Sequence, residues 1–110
     1  MMEYFIPVFD YAKEQAEKPY KHTFLNTSRV LVGINVLAPG QEQPIHDHPD
    51  QDKFYFVLEG TGSFTVGDQT VPCSPGVLVL APAGIDHGVK NLGPTRLVFL
   101  TTIAPGMAAA

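Results

Sequence analysis

Three histidines are the residues of this chain whose type and spacing could hold a metal ion, and two of them lie close together. His46 and His48 are separated by the single residue Asp47. If this segment is a β-strand, alternate side chains share a face and the two Cα atoms lie about 6.5–7 Å apart. Two imidazole nitrogens can then reach one ion at about 2.0–2.1 Å, while Asp47 points to the opposite face. On this pair alone, a metal site and two solvent-exposed strand histidines are equally good interpretations.

His87 is the third histidine, and it stands far along the chain from the pair. The residues before it, Pro82-Ala83-Gly84, predict a turn that leads into a new strand. A β-barrel can use such a place to direct a side chain into its interior. Considered alone, a histidine here is more often an ordinary surface or core residue, so His87 becomes a candidate ligand only together with the other two.

The segments that must position these histidines are short and rich in β-forming residues. From His22 onward, apolar runs alternate with the turn residues Gly, Pro, Asn and Asp. The runs are residues 29–37, 45–48, 53–60, 61–68, 69–76, 77–84, 86–91 and 95–103. No stretch after residue 22 carries a helical period, so we expect an all-β sandwich or barrel. Residues 3–9 could form a short strand interrupted at Pro7, and residues 10–20 could form one or two helical turns before Pro19.

Length and composition favour a single soluble domain. A chain of 110 residues has room for one core. We expect an N-terminal arm over residues 1–22, a barrel domain over 23–104 and a loose tail over 105–110. The formal charge of −4 offers no basic surface for nucleic acid, and a single cysteine excludes an internal disulfide. Neither a basic leader before an apolar run nor an apolar stretch of about 18 residues is visible, so we expect a cytoplasmic protein with no membrane partner.

Two features predict that a second copy of the chain covers part of the surface. Charged residues make up 16% of the sequence, against about 25% in an average soluble domain. In residues 53–60, Phe54, Phe56 and Leu58 alternate with Tyr55 and Val57, so both faces of this strand are apolar. One face can line the barrel. The other needs cover from a homodimer partner or, equally well on this pattern, from the N-terminal segment of the same chain.

The histidines and the glycines around them match two sequence motifs. The pattern Gly-x5-His-x-His-x4-Glu-x6-Gly is matched at Gly40, His46, His48 and Gly60. The pattern Gly-x5-Pro-x-Gly-x2-His-x3-Asn is matched at every defined position, by Gly76, Pro82, Gly84, His87 and Asn91. Fifteen residues separate the two motifs. On these residues the sequence resembles the cupin family in its compact microbial form.

The resemblance implies a double-sheet jelly-roll barrel, also called a double-stranded β-helix, with His46, His48 and His87 as the ligands of one divalent metal ion. It also gives structural roles at turns to five further residues: Gly40, Gly60, Pro82, Gly84 and Asn91. Three imidazoles that leave coordination positions open suit Fe(II), Mn(II), Ni(II), Cu(II) or Zn(II), and the sequence does not rank these metals.

Lys53 stands where the first motif has Glu, the fourth metal ligand of the family. A protonated lysine is repelled by a divalent ion, and burial lowers its pKa. The side chain could therefore turn to solvent, lie beside the metal and bind an anionic substrate, or lose its proton and act as a base or ligand. Gln51 or Asp52 could supply an additional oxygen ligand if the turn bulges by one residue, although exposure of both on the turn is the simpler interpretation.

Several other residues are weaker candidates for the site. Tyr55 alternates with Lys53 and should face the pocket, where its hydroxyl could orient a substrate, although a core tyrosine is the commoner role. We expect His22 at the surface, Cys73 in a turn and unreactive, and Asp86 exposed. Alternation also predicts four positions in the core or the pocket wall: Phe64, Val66, Val79 and Phe99.

The resemblance leaves three classes of function. The first is a metal-dependent enzyme acting on a small organic molecule, similar to those cupin dioxygenases that lack the acidic ligand. A metal-assisted isomerase or lyase, in which Tyr55 or Lys53 moves a proton, is a variant of this class. The second is a non-catalytic cupin that binds a small ligand at the barrel mouth. A storage role has little support, because storage cupins usually contain two barrels.

Overall fold

The computed structural model describes residues 3–109, and that range contains nine β-strands. They are β1 (Tyr20–Asn26), β2 (Leu31–Leu37), β3 (Glu42–His46), β4 (Asp52–Glu59), β5 (Gly62–Val66), β6 (Gln69–Cys73), β7 (Leu78–Ala81), β8 (His87–Lys90) and β9 (Leu97–Ala104). A short 3-10 helix, Val8–Tyr11, precedes them. Within the described residues, no helix is both long enough and apolar enough to cross a lipid bilayer. The all-β prediction is confirmed.

The strands pair antiparallel in two sheets. The five-stranded sheet has the order β1-β2-β9-β4-β7, and the four-stranded sheet has the order β3-β8-β5-β6. The last strand, β9, lies between β2 and β4, so early and late parts of the chain share one sheet. The chain therefore crosses repeatedly between two facing sheets, which is the expected jelly-roll arrangement.

The main core lies between the two sheets. Alternation along β4 places Tyr55 and Val57 on the inner face, where they are buried, while Phe54 and Phe56 lie on the outer face. Three of the residues expected in the core are buried there and the fourth is partly buried against them: Phe64, Val79, Phe99 and Val66. Burying an apolar side chain of this size contributes about 1.5–3 kcal/mol, so this layer holds the sheets together.

The outer face of the five-stranded sheet is covered over only part of its width. Three side chains are fully buried on it: Ile34, Val36 and Val98. Val8 and Tyr11 of the N-terminal segment pack against this cluster. Over β4 and β7 four large apolar side chains remain open: Phe54 (38% exposed), Phe56 (37%), Leu78 (52%) and Leu80 (59%). The N-terminal segment therefore supplies cover for the β2 and β9 side of this face and leaves the β4 and β7 side exposed.

The N-terminal segment differs from its predicted local structure. Residues 3–9 form no strand, and the helical turn lies over Val8–Tyr11 rather than after Asp10. Pro7 cannot donate a hydrogen bond to a neighbouring strand, and its carbonyl accepts one from Asp10 N at 3.0 Å instead. The segment is held by packing of its apolar side chains on the sheet, which requires no strand pairing.

One further expectation is wrong. Cys73 is not in a turn, since it is the last residue of β6 and pairs with Gly62. Pro72 does not end the strand because β6 is an edge strand, the position at which sheets tolerate proline. After β9, Met107 N donates to Asn26 Oδ1 at 3.0 Å, and the neighbouring backbone is hydrogen-bonded to the turn between β1 and β2.

Gly60 and Asn91 show why the motifs need their non-histidine residues. Gly60 has a φ of +79°, and a Cβ at this position would collide with the carbonyl oxygen of Arg96. Only glycine therefore fits without strain. Asn91 is fully buried, and its Nδ2 donates to Leu37 O and to Thr95 O, both at 2.9 Å. This side chain connects the end of β2 to the loop that follows β8.

Candidate metal site

The fold brings the three histidines together from two distant segments. His46 is the last residue of β3 and His87 is the first residue of β8. These two residues are direct register partners, with ring centroids 4.5 Å apart. His48 follows β3, and its ring centroid lies 4.9 Å from that of His46 and 5.5 Å from that of His87. One ligand nitrogen from each residue lies within 4.8 Å of the other two, so the three could share one ion.

His48 reaches the cluster by a different route from the one predicted. Because β3 ends at His46, His48 lies outside the strand and alternation does not place its side chain. Its backbone is held instead, since His48 O accepts a hydrogen bond from Gly84 N at 3.1 Å. Asp47 is exposed, as expected. The turn that contains Gly84 therefore positions His48 through this hydrogen bond. It also positions His87, which follows Gly84 three residues later in the chain.

Backbone hydrogen bonds orient two of the three rings. His46 Nδ1 lies 2.7 Å from Pro44 O, and His87 Nδ1 lies 2.9 Å from Ile85 O. A carbonyl oxygen can only accept, so each Nδ1 carries the proton and each Nε2 presents its lone pair. Metal-binding histidines commonly have their second nitrogen fixed in this way.

Two observations show that the cluster fits a metal ion. Nε2 of His46 and Nε2 of His48 are 3.1 Å apart. Nitrogens that each bind one ion at about 2.0–2.1 Å lie roughly 3 Å apart when the two bonds meet near a right angle. His87 is only 1% exposed, and its Nε2 is buried without a hydrogen-bond partner among the described residues. A buried polar atom without a partner costs free energy, and an ion shared by the three nitrogens would supply that partner.

The electrostatic environment favours the neutral form of His48 and of His87. Burial lowers the pKa of His48 and of His87, and the positive charge of Lys53 lowers both further. The hydrogen bond to Ile85 O opposes the shift at His87. Neutral imidazole is the form that binds metals, so the surroundings favour the ligand state of both residues.

Comparison with known proteins agrees with this geometry. Residues 33–103 match the family described as Cupin domain. The chain belongs to the cupin family. Uncharacterized protein SCO3923 from Streptomyces coelicolor is 36% identical over 82 residues, which cover 74% of this chain and 77% of that protein. The crystal structure of TT1209 from Thermus thermophilus is similar with a TM-score of 0.88 at 34% identity, covering 92% of this chain and 96% of the other.

Some relatives of this cupin have names that refer to a biochemical process. Gentisate 1,2-dioxygenase from Ralstonia sp is 30% identical over 78 residues, which cover 70% of this chain and 22% of the dioxygenase. Polyketide synthase CurC from Streptomyces cyaneus is 29% identical over 78 residues, covering 68% of this chain and 51% of that protein. The chain therefore spans about half the length of CurC and less than a quarter of the dioxygenase.

Lys53 is the position at which this cupin departs from the family motif, and its side chain lies on the inner face of β4. The side chain is half-buried, and its Nζ lies 4.9 Å from the centre of the Tyr55 ring. Burial, together with the positive charge of Lys21, lowers the pKa of Lys53 to about 8. Three possibilities for Lys53 follow from the sequence. The geometry favours the two in which the side chain stays near the histidines over the one in which it turns to solvent.

The two residues that could add an oxygen ligand have other contacts. Asp52 is exposed, and its Oδ1 accepts a hydrogen bond from Ala83 N at 2.9 Å. Gln51 Nε2 donates to Pro105 O at 3.0 Å. The register shift in β4 lies between Val57 and Glu59, far from the turn in which a bulge would re-aim these side chains. Across residues 3–109, the group of His, Cys and carboxylate side chains able to share an ion consists of the three histidines.

In addition to the histidines, the inner face carries buried polar residues that the sequence did not single out. Asn35 and Thr101 are buried, and Thr101 Oγ1 donates to Asn35 Oδ1 at 2.6 Å. Thr101 is the register partner of Tyr55, which places both side chains on the same face. The Tyr55 ring lies 6.3 Å from that of His87, and its hydroxyl is buried with no partner in the described part of the chain. A polar residue inside an otherwise apolar run was the available signal.

The remaining candidates are structural. His22 is partly buried and stacks on Tyr11, with ring centroids 4.9 Å apart, outside the histidine cluster. Burial raises the pKa of the Cys73 thiol, which fits the expectation that it is unreactive. Asp86 is exposed, and its backbone carbonyl accepts a hydrogen bond from Gly67 N at 2.8 Å.

Proposed function

We propose that this cupin is a metal-dependent enzyme that acts on a small organic molecule, with dioxygenase chemistry as its principal activity. The observation that carries the proposal is the convergence of three histidine nitrogens on one point, including the buried, unpartnered Nε2 of His87. Three protein ligands leave coordination positions for a substrate. The 30% identity to gentisate 1,2-dioxygenase supports an oxygenase over the part of that enzyme which the chain covers.

The proposal gives each group of residues its own task. His46, His48 and His87 would hold the ion, for which iron, manganese, nickel, copper and zinc are all suitable. When bound, such an ion supplies Lewis acidity and, in the case of iron, redox chemistry toward O₂. The Tyr55 hydroxyl has no partner in the described structure and can donate a hydrogen bond to a substrate oxygen. Thr101 holds Asn35 in place, so the polar part of the inner face is fixed before substrate arrives.

A metal-assisted isomerase or lyase is the second candidate, and Lys53 is the residue that favours it. The pKa of Lys53 is lowered to about 8. A general acid or base works best when its pKa lies near the pH at which the enzyme operates. The ammonium group is held on the inner face near His48 and His87, whose pKa values it lowers. In this version Lys53 or Tyr55 would move a proton on the substrate without consumption of O₂.

Oxygen uptake by iron-loaded protein tests the principal proposal. The protein is prepared metal-free, loaded with Fe(II) without air, and assayed with gentisate, a β-diketone and a thiol. We expect uptake with at least one compound, loss of uptake in His87→Asn, and retention in His22→Asn, whose ring lies outside the cluster. If fully loaded protein consumes no oxygen, the dioxygenase proposal is wrong. Proton exchange on the same compounds, followed by NMR, then separates an isomerase from a non-catalytic ligand-binding cupin.

We also propose that the protein is a homodimer in which a second copy covers the outer face of β4 and β7. The open patch of Phe54, Phe56, Leu78 and Leu80 has no charged member and ends at β7, an edge strand of the sheet. A two-fold axis through this patch would place the same apolar residues against each other. The chain's own N-terminal segment is already packed on the other part of the face, so it is not free to cover this one.

A further inference from the structure

Lys53 places a positive charge on the inner face, close to the histidine cluster. It shares that face with Tyr55, and the two side chains are in contact through the Lys53 Nζ and the Tyr55 ring, 4.9 Å from the ring centre. Tyr55 in turn lies beside His87, with 6.3 Å between the ring centroids. Two buried polar atoms in this group have no partner among residues 3–109, namely the Tyr55 hydroxyl and His87 Nε2.

No carboxylate balances the charge of Lys53 in the described part of the chain. The ion pairs there join Lys90 to Glu42 and Arg96 to Glu59. Asp52, next to Lys53 in sequence, points to the outer face and accepts a hydrogen bond from the backbone. The neighbouring charge that acts on Lys53 is that of Lys21, which is also positive. The inner face near the histidines is therefore positive before any metal binds.

The substitution of Lys for Glu also changes the charge of the loaded site. Three neutral imidazoles do not offset a divalent ion, and a glutamate in the family's position would remove one positive charge. With protonated Lys53 the same site is two charges more positive than with that glutamate. Uncompensated positive charge in a partly buried site is costly, and a negative ligand relieves it.

We propose that Lys53 makes this an anion-accepting cupin site and that its substrate is an organic carboxylate, with the negative group between the metal and the Lys53 ammonium. This inference rests on the proposed metal-dependent function and names its substrate class. The Tyr55 hydroxyl would donate the third contact to the same group. Lys53 then takes a specificity-determining role at the position where the family motif has a metal ligand.

The test compares a carboxylate with a neutral molecule of the same shape. Protein loaded with Co(II) is titrated with benzoate and with benzamide, and binding is followed by calorimetry and by the visible cobalt spectrum. We expect Lys53→Met to weaken benzoate binding about tenfold or more, while benzamide binding changes little. Lys53→Arg keeps the charge and should retain benzoate binding within about threefold. Lys90→Met removes an exposed positive charge from the same barrel and should leave both affinities unchanged.

Metal content measured on the same samples separates the two proposals. The carboxylate inference is contradicted if metal-loaded wild type and metal-loaded Lys53→Met bind benzoate equally well, or if the loaded wild type does not bind benzoate at all. Either result leaves the proposed metal site standing. A wild-type protein that takes up no cobalt contradicts the proposed function, and the inference that rests on it is then also wrong.

Discussion

Replacing Tyr55 with phenylalanine should stabilise the metal-free protein, although the residue is buried in the core. Tyr55 is 1% exposed, and its hydroxyl has no hydrogen-bond partner in the described structure. Burial alone raises the pKa of this hydroxyl above its usual range. The ring packs against Phe64 and Phe99, with centroid distances of 5.4 and 5.2 Å, and phenylalanine keeps both contacts. Only the hydroxyl oxygen is lost, so the volume left empty among the apolar neighbours is small.

The size of the effect follows from the cost of burying a polar group without a partner. That cost is about 1–3 kcal/mol, and Tyr55→Phe should raise the free energy of unfolding by a similar amount. Urea denaturation with linear extrapolation measures the change, and a thermal scan should show a rise of about 4 °C or more for each kcal/mol. Tyr4→Phe is the matched control, because Tyr4 is 78% exposed and should change stability by less than about 0.5 kcal/mol.

A destabilised Tyr55→Phe variant would refute this reasoning, because it would mean that the hydroxyl is satisfied in solution by a partner or a water. The same substitution should act in the opposite direction on function. If the hydroxyl is kept without a partner so that it can contact substrate, Tyr55→Phe weakens substrate binding or turnover while it strengthens the fold. Stability and activity should therefore change in opposite directions at this residue.

Three other changes should have defined effects. Lys53→Glu should tighten binding of a divalent ion by about tenfold or more, measured by competition with a chelator, and an unchanged affinity would mean that the side chain points to solvent. Burial lowers the pKa of His87 below its ordinary 6.5, so the unfolded chain takes up a proton at this residue more readily than the metal-free fold does. The free energy of unfolding should therefore fall as the pH drops below about 6.5. Urea titrations of His87→Asn should show a shallower fall. Leu80→Lys should convert the proposed dimer to a monomer in light scattering, whereas the exposed control Leu92→Lys should not. A wild-type monomer would contradict the proposed interface.

The sequence predicted the all-β fold because strand and turn signals follow closely on one another from His22 onward. The alternation of residues 53–60 correctly separated the inner side chains of Tyr55 and Val57 from the outer side chains of Phe54 and Phe56. The resemblance to the cupin motifs also indicated His46, His48 and His87, three residues that the fold brings together. The alternation is a local periodicity that a single sequence contains, whereas the histidine set depended on the motifs of a known family.

What the sequence could not predict depends on which strands become neighbours. Alternation does not show that Thr101 lies opposite Tyr55, since their strands are far apart in the chain and meet only through the sheet order. The same limit applies to His48, whose position depends on a hydrogen bond to Gly84 rather than on the strand. Cys73 was expected in a turn because the sequence does not show that its strand, which contains Pro72, lies at the edge of a sheet. In each case a long-range contact decided the local structure.

Metal stoichiometry is the most direct test of the account. Elemental analysis of protein purified without chelators should find about one first-row transition ion per chain. The double variant His46→Ala, His48→Ala should lose that ion yet keep a folded barrel by circular dichroism, because both side chains are partly exposed at the end of β3 and beyond it. A double variant that keeps its metal, or a wild-type protein that binds none when each candidate ion is supplied, would contradict a site built from these three histidines.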